Sequence, residues 1–137
     1  MAVLYSRVKR TVTTGRNPGT KYLAVLFAPQ TVSTRQVAED IAGATSLAVG
    51  DVYNAIVSLC EIIKRYNSNS TRVRLENFGT FAPRISAQAK PTIDEVTDDS
   101  IRDVSVLFRP EITLRKKMKS AGVRLRQRDN KGYQDPV

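Results

Sequence analysis

Basic side chains are the chemistry this sequence offers. Arg7 and Lys9 stand two apart near the N-terminus, and Arg16 follows beside Asn17 and Pro18. Arg72, Arg74 and Arg84 lie in the middle, and Arg109, Arg115, Lys116, Lys117 and Lys119 crowd toward the C-terminal end. Cations two apart on an extended strand share one face, and such a row pairs with a polyanion: nucleic acid first, an acidic membrane surface second. Against 22 Lys and Arg the 137-residue chain has 13 Asp and Glu, a net charge of +9. The excess is uneven. Residues 1–30 hold five bases and no acid, residues 31–108 eight bases and ten acids, and residues 109–137 nine bases and three acids.

Other chemistries are poorly provided for. The chain has no histidine, which removes imidazole acid–base catalysis, and one cysteine, Cys60, which removes any internal disulfide. A zinc site would need carboxylates alone. Asp94, Glu95, Asp98 and Asp99 match no calcium-loop spacing. Glu39 and Asp40 read as solvated helix charges. Cys60, within an apolar stretch, reads as a small buried hydrophobe. No P-loop, dinucleotide loop or serine elbow is present. The expectation is a non-enzyme with no catalytic residue, metal, cofactor or small-molecule substrate. Apolar runs fall short of the roughly 18–20 residues of a membrane span, and the N-terminus lacks a signal-peptide hydrophobic region. A soluble, cytoplasmic protein with no membrane partner is expected.

Periodicity supplies the elements that would position the cations. Residues 3–13 and 21–28 read as two strands, joined by an Asn17-Pro18-Gly19-Thr20 type II turn. Tyr5, Arg7, Lys9, Thr11 and Thr13 share one face of the first. The second, KYLAVLFA, is apolar on both faces. Ser33 with Gln36 reads as a capping box opening a helix, whose stripe is Val37, Ala38, Ile41 and Ala42 and whose end is Gly43. Residues 48–66 predict a longer helix with polar positions confined to Asp51, Asn54, Ser58, Glu61 and Arg65. Most of its circumference is apolar, which a chain this short cannot cover alone, so a partner subunit is expected. A hairpin of 71–76 and 80–86 follows, with Arg72 and Arg74 on one face. A strand at 103–108 comes next, then a helix from Pro110 to about Ser120 that turns Ile112, Leu114 and Met118 inward and is closed by Gly122.

This order, with ENFGTFAPR at 76–84 and VLFRPEITLRKKM at 106–118, resembles the HU and integration host factor family of bacterial DNA-binding proteins over about residues 31–121. The resemblance implies an α+β intertwined homodimer: two N-terminal helices, an antiparallel sheet and a C-terminal helix. Val52, Ile56, Leu59, Ile63, Phe78, Phe81 and Phe108 would form the dimer core, and Gly79 would permit a tight bend. It also implies double-stranded DNA as partner, gripped by basic β-arms in the minor groove with a proline wedge at each tip. On that basis Arg72, Arg74, Arg84, Arg109, Arg115, Lys116 and Lys119 are candidate phosphate contacts, with a solvated helix face as the alternative for the last three.

The sequence departs from the family where the arm belongs. Residues 82–107 carry Asp94, Glu95, Asp98, Asp99 and Asp103 against Lys90 and Arg102 in the stretch beyond Arg84, and lack an Arg-Asn-Pro tip. Thr92 and Glu95 predict a short capped helix, and a compact connection is expected in place of a wrapping arm. An Arg-Asn-Pro tripeptide stands instead at 16–18. The N-terminal hairpin is thus a candidate replacement arm, with Arg7, Lys9, Arg16, Asn17 and Pro18 at the DNA; a plain Asn-Pro-Gly turn with a solvated arginine is the alternative. This pattern resembles a divergent HU-like branch with an N-terminal β-hairpin extension. The domains expected are a hairpin extension at 1–30, an HU-like domain at 31–121 and a loose basic tail at 122–137. The functional expectation is a histone-like protein of the bacterial nucleoid that binds DNA with little sequence preference and contributes to DNA condensation. The alternative is a dimeric protein-interaction module that has lost DNA wrapping.

Overall fold

The structure is a computed structural model and describes residues 1–126. The described residues form an α+β fold with three α-helices and two three-stranded sheets. Two compact units are present: Met1–Thr31 with Lys117 onward, and Val32–Lys116.

The first unit is built on a hairpin. β1 (Val3–Val12) pairs antiparallel with β2 (Gly19–Leu26), from Tyr5 opposite Leu26 to Val12 opposite Gly19. The expected turn at Asn17–Thr20 is not formed. Gly19 and Thr20 already belong to β2, and Thr13–Pro18 makes a six-residue tip in which Gly15 takes the positive φ, at 110°. Without a Cβ, glycine enters that region at little cost. A third strand, β6 (Val123–Leu125), pairs parallel with β1 at Val3, Leu4 and Tyr5. The Val3 N–H donates to the Gly122 carbonyl at 2.9 Å, and the Arg126 N–H to the Tyr5 carbonyl at 3.0 Å. Residues 123–125, expected in a loose tail, are therefore sheet; residues 127–137 of that tail lie outside the described residues.

The second unit opens with α1 (Thr34–Ala44), where the Ser33 hydroxyl accepts from the Gln36 N–H at 3.2 Å. The Gln36 amide reaches forward to Asp40, not back to Ser33, so half of the capping box forms. Gly43 stays inside the helix, and Thr45 caps it, its hydroxyl donating to the Ile41 carbonyl at 2.8 Å. α2 (Val49–Ser68) follows. β3 (Val73–Leu75), β4 (Gly79–Ala87) and β5 (Ile101–Pro110) form the antiparallel sheet in that order. Pro110, expected in the first helical turn, ends β5 opposite Gly79. β5 is an edge, where a missing N–H is tolerated. α3 (Ile112–Ala121) begins after Glu111, and Gly122, φ 71°, closes it as expected.

Gly79 is needed for a reason other than a bend. A Cβ there would lie 2.4 Å from Phe108 Cε2 and 2.6 Å from the Arg109 carbonyl oxygen. The Phe108 ring rests on the bare glycine backbone, held at 5.3 Å from the Phe78 ring and 4.9 Å from Phe81. The positive φ of the β3–β4 turn falls on Asn77, at 61°.

The core within one chain is small. Among the described residues only Ala38 and Val52 are buried apolar side chains. Of the expected dimer-core residues, Val52 and Gly79 are buried, Ile56, Ile63 and Phe81 are half-buried, and Leu59, Phe78 and Phe108 are exposed. Cys60 is exposed too, not buried as expected. In α3 only Leu114 of the expected inward set is half-buried; Ile112 and Met118 are exposed.

Candidate nucleic-acid interface

Register decides which cations share a face. In β3–β4–β5, Arg74 is opposite Thr80, and Thr80 opposite Arg109. Residues paired across strands project to the same side. Arg74, Arg109 and, four residues on from Thr80, Arg84 therefore occupy one face, with Ser105 and Ser86 continuing it. Phe81, Pro83, Ile85, Val104, Val106 and Phe108 form the other face. Arg72 lies just before β3 and is exposed. The sheet thus brings three of the expected phosphate contacts together.

One of the three is already engaged. Arg74 Nε donates to Glu111 Oε1, while Glu111 Oε2 accepts the Asn77 N–H at 3.1 Å. The hydrogen bond to Arg74 holds the Glu111 carboxyl below the usual carboxylate range, and the same bond raises Arg74 further. Glu111 ties the start of α3 to the β3–β4 turn and takes part of the Arg74 charge. Their separation of 37 residues hid this pair from a reading of the sequence. Among the described residues, Arg109 and Arg84 have no such partner.

The arm region differs from both the family pattern and the expected compact connection. A two-stranded ribbon does persist, with Pro83 opposite Val106 and Ile85 opposite Val104, and a register shift follows at Ser86 and Ala87. Beyond it, residues 88–100 fold into two short 3-10 turns, Ile93–Glu95 and Asp98–Ser100. The Thr92–Glu95 contact is between side chains, at 3.1 Å, and neither caps the backbone. Ser100 is buried, its hydroxyl donating to the Thr97 carbonyl at 2.6 Å. The end of the ribbon is acidic.

In the hairpin β1–β2, Arg7 lies opposite Ala24 and Lys9 opposite Tyr22, on one face as expected. Arg16, Asn17 and Pro18 sit in the exposed tip. The opposite face carries Arg10 directly against Lys21, which alternation alone could not reveal without the register. Arg115, Lys116 and Lys119 are exposed on α3. Arg126 lies over the Phe27 ring, 4.7 Å from its centroid.

The charge divides more sharply between the two units than among thirds of the chain. Residues 32–116 contain eleven bases and eleven acids. The described part of the other unit, residues 1–31 and 117–126, contains nine bases and no acid. The whole net charge of +9 therefore equals the charge of that part. The balanced unit holds the ion pairs Arg35–Glu39, Glu61–Lys64 and Arg74–Glu111. Among the described residues, no group of three or more Cys, Asp or Glu is placed to hold a metal ion, and no helix is long and apolar enough to cross a membrane.

Comparison with known proteins bears on the fold. No curated protein matches the sequence. A solved structure from Bacteroides vulgatus ATCC 8482, described as a "Putative bacterial DNA binding protein", superposes with a TM-score of 0.61 at 12% identity. The match covers 90% of this chain and 47% of that one, so the chain spans about half the length of its structural relative. At that identity the likeness speaks for the fold alone. The profile of a family described as "HU domain fused to wHTH, Ig, or Glycine-rich motif" matches residues 1–125, which takes in the hairpin as well as the segment bearing FGTF and FRP. By that match, the chain belongs to the HU-HIG family.

Proposed function

We propose that the protein binds double-stranded DNA as a homodimer, chiefly through phosphate contacts and with little sequence preference, as a histone-like component of a bacterial nucleoid. One observation carries the reading: the entire net charge belongs to the unit of Met1–Thr31 and Lys117 onward, whose described residues hold nine bases and no acid. A charge excess concentrated in one unit is an electrostatic footprint for a polyanion. On this reading Arg7, Lys9, Arg16, Asn17 and Pro18 act from the hairpin, and Arg115, Lys116 and Lys119 from α3. Arg72, Arg84 and Arg109 add contacts from the second sheet, with a smaller share for Arg74, which Glu111 occupies. Each contact positions the duplex without reading bases.

What one chain leaves uncovered supports the dimer. α2 exposes Val57, Leu59, Ile62 and Tyr66, and the apolar face of the β4–β5 ribbon exposes Ile85, Val104 and Val106. That face continues the one on which Phe81 and Phe108 meet. Two buried apolar side chains cannot stabilise a unit of this size; a second copy supplies the missing core. Bending is weaker than in the HU and integration host factor family, because the β4–β5 ribbon ends in carboxylates that phosphates repel.

The acidic connection and the charge balance of residues 32–116 favour a second reading, in which the HU-like unit binds protein and has given up DNA. Fluorescence anisotropy on a short random-sequence duplex, across a salt series, separates the two. A linear fall of log affinity with log salt, steep enough for several phosphates per dimer, supports DNA binding. Absence of binding at about 50 mM salt, where phosphate contacts are strong, leaves the protein-binding reading.

A further inference from the structure

β6 covers β1 only at Val3, Leu4 and Tyr5. From Ser6 onward, among the described residues, β1 has β2 as its sole strand neighbour, so the distal hairpin is a two-stranded ribbon. Its strand segment Ser6–Val12 extends about 23 Å at 3.3–3.4 Å per residue. Arg7 and Lys9 stand on one face. On the other, Arg10 and Lys21 form a like-charge rung, both exposed. Like charges directly opposite destabilise an isolated ribbon. Residues 1–31 and 117–126 contain no acid to relieve the repulsion.

Two cations on each face do not suit a duplex lying flat against the ribbon, because one pair would remain in water. A groove is different, since it presents phosphates on two sides. One β-layer with its side chains is about 10 Å thick, the spacing at which sheets stack. The major groove of B-form DNA is about 12 Å wide and the minor groove about 6 Å, so the major groove takes such a layer without being opened.

Resting on the DNA-binding reading above, we infer that the distal hairpin enters the major groove tip first, with its faces turned to opposite walls. Arg7 and Lys9 grip one phosphate strand, the Arg10–Lys21 rung grips the other, and Arg16 rides at the leading end. The like-charge rung is then an anion clamp, relieved when a phosphate sits between its two cations.

The test uses the full chain and a random-sequence duplex. Salt series are run on the wild type, R7Q/K9Q, R10Q/K21Q and the charge-keeping R10K/K21R. Losing two phosphate contacts lowers the slope of log affinity against log salt by about two per hairpin. Both Gln pairs are expected to do so, and R10K/K21R to keep the wild-type slope. A drop for one Gln pair alone means the ribbon lies flat and overturns the inference. Guanine N7-methylated duplex, altered only in the major groove, is expected to bind more weakly, while the minor-groove ligand netropsin leaves affinity unchanged. The reverse pattern also overturns it. R10Q/K21Q removes a repulsion, so its melting temperature does not fall; a fall makes the rung structural and refutes the clamp. A wild type that binds no duplex refutes the DNA-binding reading itself, a result distinct from all of these.

Discussion

Replacing Gly79 by alanine adds one methyl group where the structure has no room. The new Cβ would sit 2.4 Å from Phe108 Cε2 and 2.6 Å from the Arg109 carbonyl oxygen. Carbon pairs settle at about 3.5–4.0 Å, so the ring must retreat by more than about 1 Å. It cannot swing freely, because Phe78 and Phe81 lie within 5.3 and 4.9 Å of it. The carbonyl is backbone, so relief there means moving β5 and loosening the Thr80–Arg109 and Phe81–Phe108 rungs. Overpacking of this kind costs about 1–3 kcal/mol, occasionally more; two simultaneous clashes, one of them with backbone, place Gly79→Ala near 3 kcal/mol. Urea unfolding at fixed protein concentration measures it, because the stability of the proposed dimer would depend on concentration. Phe108→Leu shortens the ring and removes part of the clash, so in a double-mutant cycle the pair costs less than the sum of its parts. A Gly79→Ala loss below about 0.5 kcal/mol, the range of an ordinary surface change, would falsify the close-approach argument.

Leu59→Glu places a charge on the uncovered face of α2, and light scattering is expected to report the 15.2 kDa of one chain where the wild type reports twice that; a variant that stays dimeric removes α2 from the interface. Arg16→Gln lowers the salt slope of DNA affinity by about one per hairpin and leaves thermal stability alone, since the tip is exposed; an unchanged slope returns Arg16 to solvent. The Glu111 carboxyl is held below its ordinary range chiefly by the hydrogen bond from Arg74. With the folded pKa below the unfolded one, the stabilisation is complete above the ordinary glutamate range and is lost as pH falls through the folded pKa. The stability gap between wild type and Glu111→Gln therefore narrows in acid, and a pH-independent gap contradicts the assignment.

What the sequence disclosed was local or patterned. Ser33 capped its helix because the cap needs only a hydroxyl three residues before an N–H. The HU-like order of helices and strands was legible from periodicity and two short motifs, and the family match agrees with it. What stayed hidden depended on distant partners. Gly79 looked like a bend until Phe108 was found resting on it. Pro110 looked helical because a proline starts helices and ends edge strands equally well. Val123–Leu125 is too short to announce itself as a strand, and its partner is some 120 residues earlier. For the candidate site, Arg7 and Lys9 were placed by alternation alone. The Arg10–Lys21 rung needed the hairpin register, and the Arg74–Glu111 pair needed the whole of the second sheet.

The parallel pairing of β6 with β1 also sets an order of events in folding. Val3 meets Val123 only after the whole of Val32–Lys116 has been spanned. Closing so long a loop through unfolded chain is entropically costly, and long-range contacts form late for that reason. With the intervening unit already compact, the two ends have far less to search. The hairpin itself is local and forms early, while the first three residues of β1 wait, unzipped on one side, for the last strand to arrive. Pulse-labelled hydrogen exchange is expected to protect the β1–β2 amides first and the Val3 and Arg126 amides last. A nascent chain would meanwhile carry an open strand edge, so synthesis in crowded conditions is where this protein is most exposed to mispairing with its own copies.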